Sequence, residues 1–138
     1  MPVSILIIDD YADNRELLRL MLEQAGYLVR EAEGGREGVL MAREAPPDAA
    51  LIDLSMPGLD GWAVIEELRA DERTRHIPCA AISAFADGAR VRALRSGFDA
   101  YLTKPFRQSD LIRMVEQLLV QGRITEQPGA GSRREEIF

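Results

Sequence analysis

Short, unbroken apolar runs alternate along this chain with longer segments whose apolar positions recur at helical spacing. Ile5-Leu6-Ile7-Ile8 has no polar alternation, so it reads as a strand buried on both faces. Residues 14–25 place Leu17, Leu20, Met21 and Ala25 at helical spacing, and Gly26 stops that helix. Tyr27-Leu28-Val29 is a short second strand, followed by a weaker helix over residues 35–44 that Pro46-Pro47 closes. Residues 49–54 form a third strand, and residues 61–70 a helix with Val64, Ile65 and Leu68 inward. The fourth strand spans 77–82, with Pro78 near its start, where a missing donor is tolerable. A helix over 89–95, a strand over 100–103 and a strong helix over 109–120 complete the pattern, the last with Leu111, Val115, Leu118 and Leu119 on one side. Beyond residue 120 the text QGRITEQPGAGSRREEIF is rich in Gly, Pro and charge without periodicity. Residues 1–120 therefore read as the folded domain and 121–138 as a flexible tail.

Five strands alternating with five helices predict an α/β fold, a doubly wound parallel sheet with helices on both faces. In such a sheet all strands end at one edge, and ligands bind in the crevice there. The first strand ends in Asp9-Asp10, the third in Asp53, the fourth in Ser83 and the fifth in Lys104. The second ends in Arg30-Glu31 and carries nothing distinctive. That exception fits the flavodoxin-like strand order 2-1-3-4-5, in which the second strand lies away from the switch point between the first and third.

The stretch LIDLSMPGLDG puts a carboxylate, Asp53, at the tip of a core strand just before a turn at Met56-Pro57-Gly58. Burying a charge is costly unless something pairs with it. Three carboxylates drawn together repel by roughly 4 kcal/mol per pair at an effective dielectric of about 20. A divalent ion relieves that, and an all-oxygen site with open positions suits Mg²⁺. A carboxylate beside Mg²⁺ can attack a phosphoryl group to give an acyl phosphate. Lys104 supplies a mobile point charge for the transferred oxygens, and the Ser83 hydroxyl a hydrogen bond.

Composition narrows the setting. A chain of 138 residues, 46% hydrophobic and 29% charged, is one globular domain. A net charge of −6 with no Lys/Arg cluster argues against direct nucleic-acid binding. One cysteine, Cys79, excludes an internal disulfide. The start MPVSILIIDD is too short and too acidic for a signal peptide, and no apolar run approaches the ~20 residues of a membrane span. The expected location is the cytoplasm.

The set Asp9-Asp10, Asp53 with Met56-Pro57-Gly58 and Asp60-Gly61, Ser83-Ala84, and Lys104-Pro105 resembles the receiver domain of two-component response regulators, of the stand-alone type. The resemblance covers residues 3 to about 120 and matches in residue type, order and spacing. It implies that Asp53 accepts a phosphoryl group from a sensor histidine kinase or a histidine phosphotransfer protein. It makes Asp9, Asp10, Asp53 and the main-chain carbonyl of Ser55 the Mg²⁺ ligands, Asp9 acting largely through water. Ser83 becomes the switch hydroxyl, Lys104 the phosphoryl contact ahead of a cis Lys104-Pro105 bond, and Tyr101 an aromatic rotamer switch. Tyr101 would turn inward when Ser83 moves to the phosphoryl group. A downstream protein would bind the face of the fourth helix, fifth strand and fifth helix, with a homodimer as a further option. No turnover enzyme is implied, only self-phosphotransfer and slow loss of the phosphoryl group.

Two positions depart from the commonest receiver pattern. Ser83 stands where many receivers have threonine, losing a methyl that restrains the rotamer. The span from Ser83 to Lys104 is about one residue short, with the loss placed near Asp87-Gly88. Phe85 is expected over the phosphoryl site, and Arg15, Arg19 and Glu23 on the exposed face that selects the kinase. His76 lies in a charged loop and reads as a surface residue, Cys79 as inert packing, and Trp62 as a packing or surface aromatic. An aspartyl phosphatase would need an acid two residues after Asp53, where Ser55 stands. A pseudo-receiver would have lost one of the acids or the lysine, and none is lost.

Overall fold

The computed structural model describes residues 2–84 and 88–126, with side chains as far as Gln121. Elements follow in the order β1 (Ser4–Ile8), α1 (Ala12–Gln24), β2 (Leu28–Ala32), α2 (Gly35–Glu44), β3 (Ala49–Asp53), α3 (Gly61–Ala70), β4 (Cys79–Ser83), α4 (Ala89–Ser96), β5 (Ala100–Thr103) and α5 (Gln108–Glu126). All strands pair in parallel in the order β2-β1-β3-β4-β5. The flavodoxin-like architecture is the one the alternation predicts.

Strand alternation divides the core into two layers. Leu6 and Ile8 of β1, Ala50 and Ile52 of β3, Cys79 and Ala81 of β4, and Tyr101 of β5 pack with Val39 of α2, Val64, Ile65 and Leu68 of α3, and Ala93 of α4. Their strand neighbours Ile5, Ile7, Ala49, Leu51, Ala80 and Ile82 pack with Leu18 and Leu22 of α1 and Leu111, Met114, Val115 and Leu118 of α5. Ile5 through Ile8 have no exposed surface at all. Each such side chain contributes about 1.5–3 kcal/mol on burial, so β1 anchors the sheet on both faces.

Several boundaries and one face differ from expectation. In α1 the buried positions are Arg15, Leu18 and Leu22, while Leu17 and Leu20 are half exposed. Leu17, Leu18, Leu20, Met21 and Leu22 spread over more than half the helix circumference, so periodicity alone could not phase it. Ala25, expected as the last apolar position of the helix, is an exposed C-cap. β2 starts one residue later than expected and runs three residues further, through Arg30 and Glu31 to Ala32, because an edge strand buries little on its open side and tolerates polar residues. β4 starts at Cys79 and not at residue 77, the Pro78 nitrogen having no proton to give the ladder. α5 continues to Glu126, over the first six residues of the segment expected as tail. Residues 127–138 of that tail lie outside the described residues.

Candidate functional site

Sheet register brings the acids together. Ile8 pairs with Ile52, so Asp9, one residue beyond, leaves the sheet level with Asp53, the last residue of β3. Asp9, Asp10 and Asp53 each present a carboxylate oxygen, and these lie within 4.8 Å of one another. Asp9 is 2% exposed and Asp53 7%, whereas Asp10 faces solvent. Main-chain donors aim the two buried carboxylates. The Tyr11 N–H donates to Asp9 Oδ1 at 2.9 Å, and the Ser55 N–H to Asp53 Oδ1 at 3.1 Å.

The other expected residues arrive from the far strands. Lys104, just past β5, brings Nζ to 4.0 Å from Asp9 Oδ2. Its main-chain N–H donates to the Ser83 carbonyl at 2.9 Å, which ties the end of β5 to the end of β4. The Lys104–Pro105 peptide is cis, as the resemblance implies. Ser83 is buried at 1% exposure. By alternation after Cys79 and Ala81 it belongs to the α2–α3–α4 side of the sheet, the side on which Tyr101 is buried. Asp53, alternating after Ala49 and Leu51, belongs to the α1–α5 side.

The turn after Asp53 is built to hold it. Gly58 takes a positive φ of 72°, and the Asp60 side chain caps α3 by accepting the Ala63 N–H at 2.9 Å. At Gly61 a Cβ would run into the Asp53 carbonyl oxygen and come within 2.8 Å of the Leu54 Cα. Only glycine lets α3 begin this close beneath the acid.

Burial raises the Asp9 and Asp53 carboxyls above the ordinary carboxylate range. The Tyr11 and Ser55 N–H groups and Lys104 oppose the rise, and the neighbouring acids add to it. Three carboxylates served by one lysine are short of positive charge, and their hard oxygen donors fit Mg²⁺.

Other singled-out residues fall elsewhere. Arg15, expected on the exposed kinase-selecting face, is buried: its guanidinium turns down to the end of β1 and pairs with Glu31 and Glu33 around β2. His76 is exposed in the turn before β4, at the opposite edge of the sheet from the acids. Trp62 packs edge-on against Phe98, with ring centres 6.3 Å apart, and Arg92 of α4 lies over it at 3.9 Å. Cys79 is fully buried, and burial pushes its thiol up to about 12. Phe85 and Asp87 lie outside the described residues, while α4 begins at Ala89 as expected, capped by Gly88. Asn14, whose side chain hydrogen-bonds Asp9, escaped the sequence reading, and Arg15 was read there for a different role from the one its bond to the Asp9 carbonyl gives it. Their position in the first turn of α1, directly after the paired acids, was the available signal.

A model of the response regulator receiver domain matches residues 5–116. The chain belongs to that family. Among curated relatives, the polar-differentiation response regulator DivK of Brucella anthropi is 35% identical over 120 residues, covering 86% of this chain and 98% of that protein. The DNA-binding dual master transcriptional regulator RpaA of a Synechocystis strain is 40% identical over 86% of this chain, which spans only 49% of that longer protein. Among solved structures, the receiver domain of the sensor histidine kinase PA1611 from Pseudomonas aeruginosa superposes with a TM-score of 0.80 at 33% identity, covering 86% of this chain and 98% of that one. That structure has a magnesium ion coordinated in its active-site cleft. Receivers are signalling modules, mostly not classical enzymes, and no helix among the described residues of this one is long and apolar enough to cross a membrane.

Proposed function

We propose that this receiver is a cytoplasmic phosphorelay component that takes a phosphoryl group from a histidine kinase or histidine phosphotransfer protein onto Asp53. The observation that carries the reading is the meeting of Asp9, Asp10 and Asp53 within 4.8 Å beside Lys104. An Asp53 carboxylate oxygen forms the new bond to phosphorus as the bond from phosphorus to the donor nitrogen breaks. Asp9, Asp10, Asp53 and the Ser55 carbonyl would hold Mg²⁺, which when bound neutralises charge on the phosphoryl oxygens. Lys104 adds a second positive charge, and the Ser83 hydroxyl donates to a phosphoryl oxygen. Ser83 moving toward that oxygen vacates space on the side where Tyr101 lies, a two-state element that local charge biases.

Two surfaces support the partners. Beside Lys104, a groove of about 170 Å³ is lined by Asn14, Leu17, Leu18, Pro105 and Phe106. With half-exposed Leu17 in its wall, it suits a helical phosphodonor better than the charged face expected from Arg15. On the α4–β5–α5 face, a groove of about 480 Å³ touches Arg90, Leu94, Tyr101 and Met114, and suits a downstream protein that responds to Tyr101.

Intact mass after incubation with acetyl phosphate tests the reading, with and without Mg²⁺ and beside Asp53→Asn. One added phosphoryl group, only with Mg²⁺ and only in the wild type, is the expected result. No addition from acetyl phosphate or from a phosphorylated histidine partner overturns it.

A further inference from the structure

Arg15 is a cation with almost no contact with water, at 9% exposure, on a helix whose other buried residues are leucines. One donor of its guanidinium, NH1, bonds the main-chain carbonyl of Asp9 at 2.9 Å, in a buried position. Its remaining edge turns the other way, with Nε 3.3 Å from Glu31 Oε1 and NH2 3.5 Å from Glu33 Oε1. Glu31 is itself held by Arg19 Nε at 3.2 Å. The Asp9 N–H, for its part, donates to the Ala32 carbonyl of β2 at 3.2 Å. Asp9 is thus fixed on both sides of its Cα, by β2 through its N–H and by Arg15 through its carbonyl.

That carbonyl belongs to the peptide plane shared by Asp9 and Asp10, whose orientation sets where the Asp10 Cα and carboxylate stand. Asp10 is the exposed member of the acid cluster and has no buried surroundings to hold it. We propose that Arg15 is a positioning residue for the acid site: by fixing the Asp9–Asp10 peptide, it holds the Asp10 carboxylate in register with those of Asp9 and Asp53. Glu31 and Glu33 neutralise the guanidinium, so it acts as a directed donor and not as a competing cation. The edge strand β2, which delivers no side chain to the site, takes part through this clamp. The inference rests on the reading that the three acids hold Mg²⁺. Groups that orient metal ligands typically govern affinity by 10–100-fold.

The test measures Mg²⁺ dissociation constants by calorimetry for the full chain and for Arg15→Met, Arg15→Lys and Arg19→Met, with folding checked by circular dichroism. Arg15→Lys keeps the charge and protects the fold, but a single ammonium cannot span both the carbonyl and two carboxylates as the planar fork does. The expected result is Mg²⁺ binding weaker by about tenfold in each folded Arg15 variant, and within about twofold of wild type in Arg19→Met. A folded Arg15 variant that binds like wild type overturns the proposal, as does an Arg19→Met loss as large as that of Arg15→Met, which would assign the effect to the ion pairs in general. If the wild type itself binds no Mg²⁺, the proposed function falls and this inference with it.

Discussion

Lys104 Nζ reaches to 4.0 Å from Asp9 Oδ2, across the ends of two intervening strands, β3 and β4. The lysine is 26% exposed at its side chain while the aspartate is 2% exposed, so one partner keeps access to water. Removing the ammonium should have two separable effects. Lys104→Met lowers the stability of the metal-free protein by about 0.5–1 kcal/mol, within the range of partly exposed pairs. It also slows phosphoryl uptake from acetyl phosphate on the order of a hundredfold, the loss typical for one preorganised charge partner. Urea denaturation in a chelator and time-resolved intact mass check the two separately.

The raised Asp9 and Asp53 carboxyls carry a stability consequence of definite sign. A carboxyl whose folded pKa lies above its unfolded value binds its proton more tightly when folded, so its ionisation opposes folding. That cost is fully present above the folded pKa and is relieved as pH falls through it. Asp9→Asn and Asp53→Asn should therefore each stabilise the metal-free protein at neutral pH. Saturating Mg²⁺ should reverse the ranking, because it stabilises only the chain with all three acids. Thermal melts with chelator and with Mg²⁺ read both arms.

Cys79 should be chemically silent. Its thiol is fully buried, sits 3.2 Å from the Ile77 carbonyl and is pushed up to about 12, so it stays protonated at any working pH. A thiol reagent at pH 8 should label less than a tenth of the native protein, roughly, in the time that labels the guanidinium-unfolded chain completely. Rapid labelling of the native state would contradict this placement.

Gly61 is the tightest point beneath the acid. Gly61→Ala drives a methyl into the Asp53 carbonyl and the Leu54 Cα, both main-chain atoms that cannot step aside. The expected cost is about 1–3 kcal/mol in urea unfolding, with phosphoryl uptake reduced in the protein that remains folded.

Most of the fold and half of the site logic were legible as text, for identifiable reasons. Ile5–Ile8 and residues 49–52 are apolar without alternation, which only a doubly covered strand requires, and the acids follow at their ends. α2 and α3 were found at their true bounds because Gly35 and Gly61 start them, and Pro46 or the charged turn after Ala70 stops them. The phase of α1 was not legible. Its five apolar residues from Leu17 to Leu22 satisfy two faces, and the buried stripe includes an arginine that no hydrophobic period can reveal. Arg15 is buried only because Glu31 and Glu33 from β2 and the Asp9 carbonyl converge on it, which is tertiary information. The groove beside Pro105 and Phe106 is likewise made by segments nearly 90 residues apart.

The parity of the strands gives this sheet a direction of traffic. Asp53 alternates toward the layer of α1 and α5, and Ser83 toward the layer of α4, where Tyr101 is also buried. On the proposed function, the groove beside α1 would be the receiving dock and the α4–β5–α5 groove the broadcasting antenna, joined at the carboxyl edge of the sheet. A partner could therefore occupy the antenna without blocking the dock, so that reception and output can proceed at the same time on one small molecule.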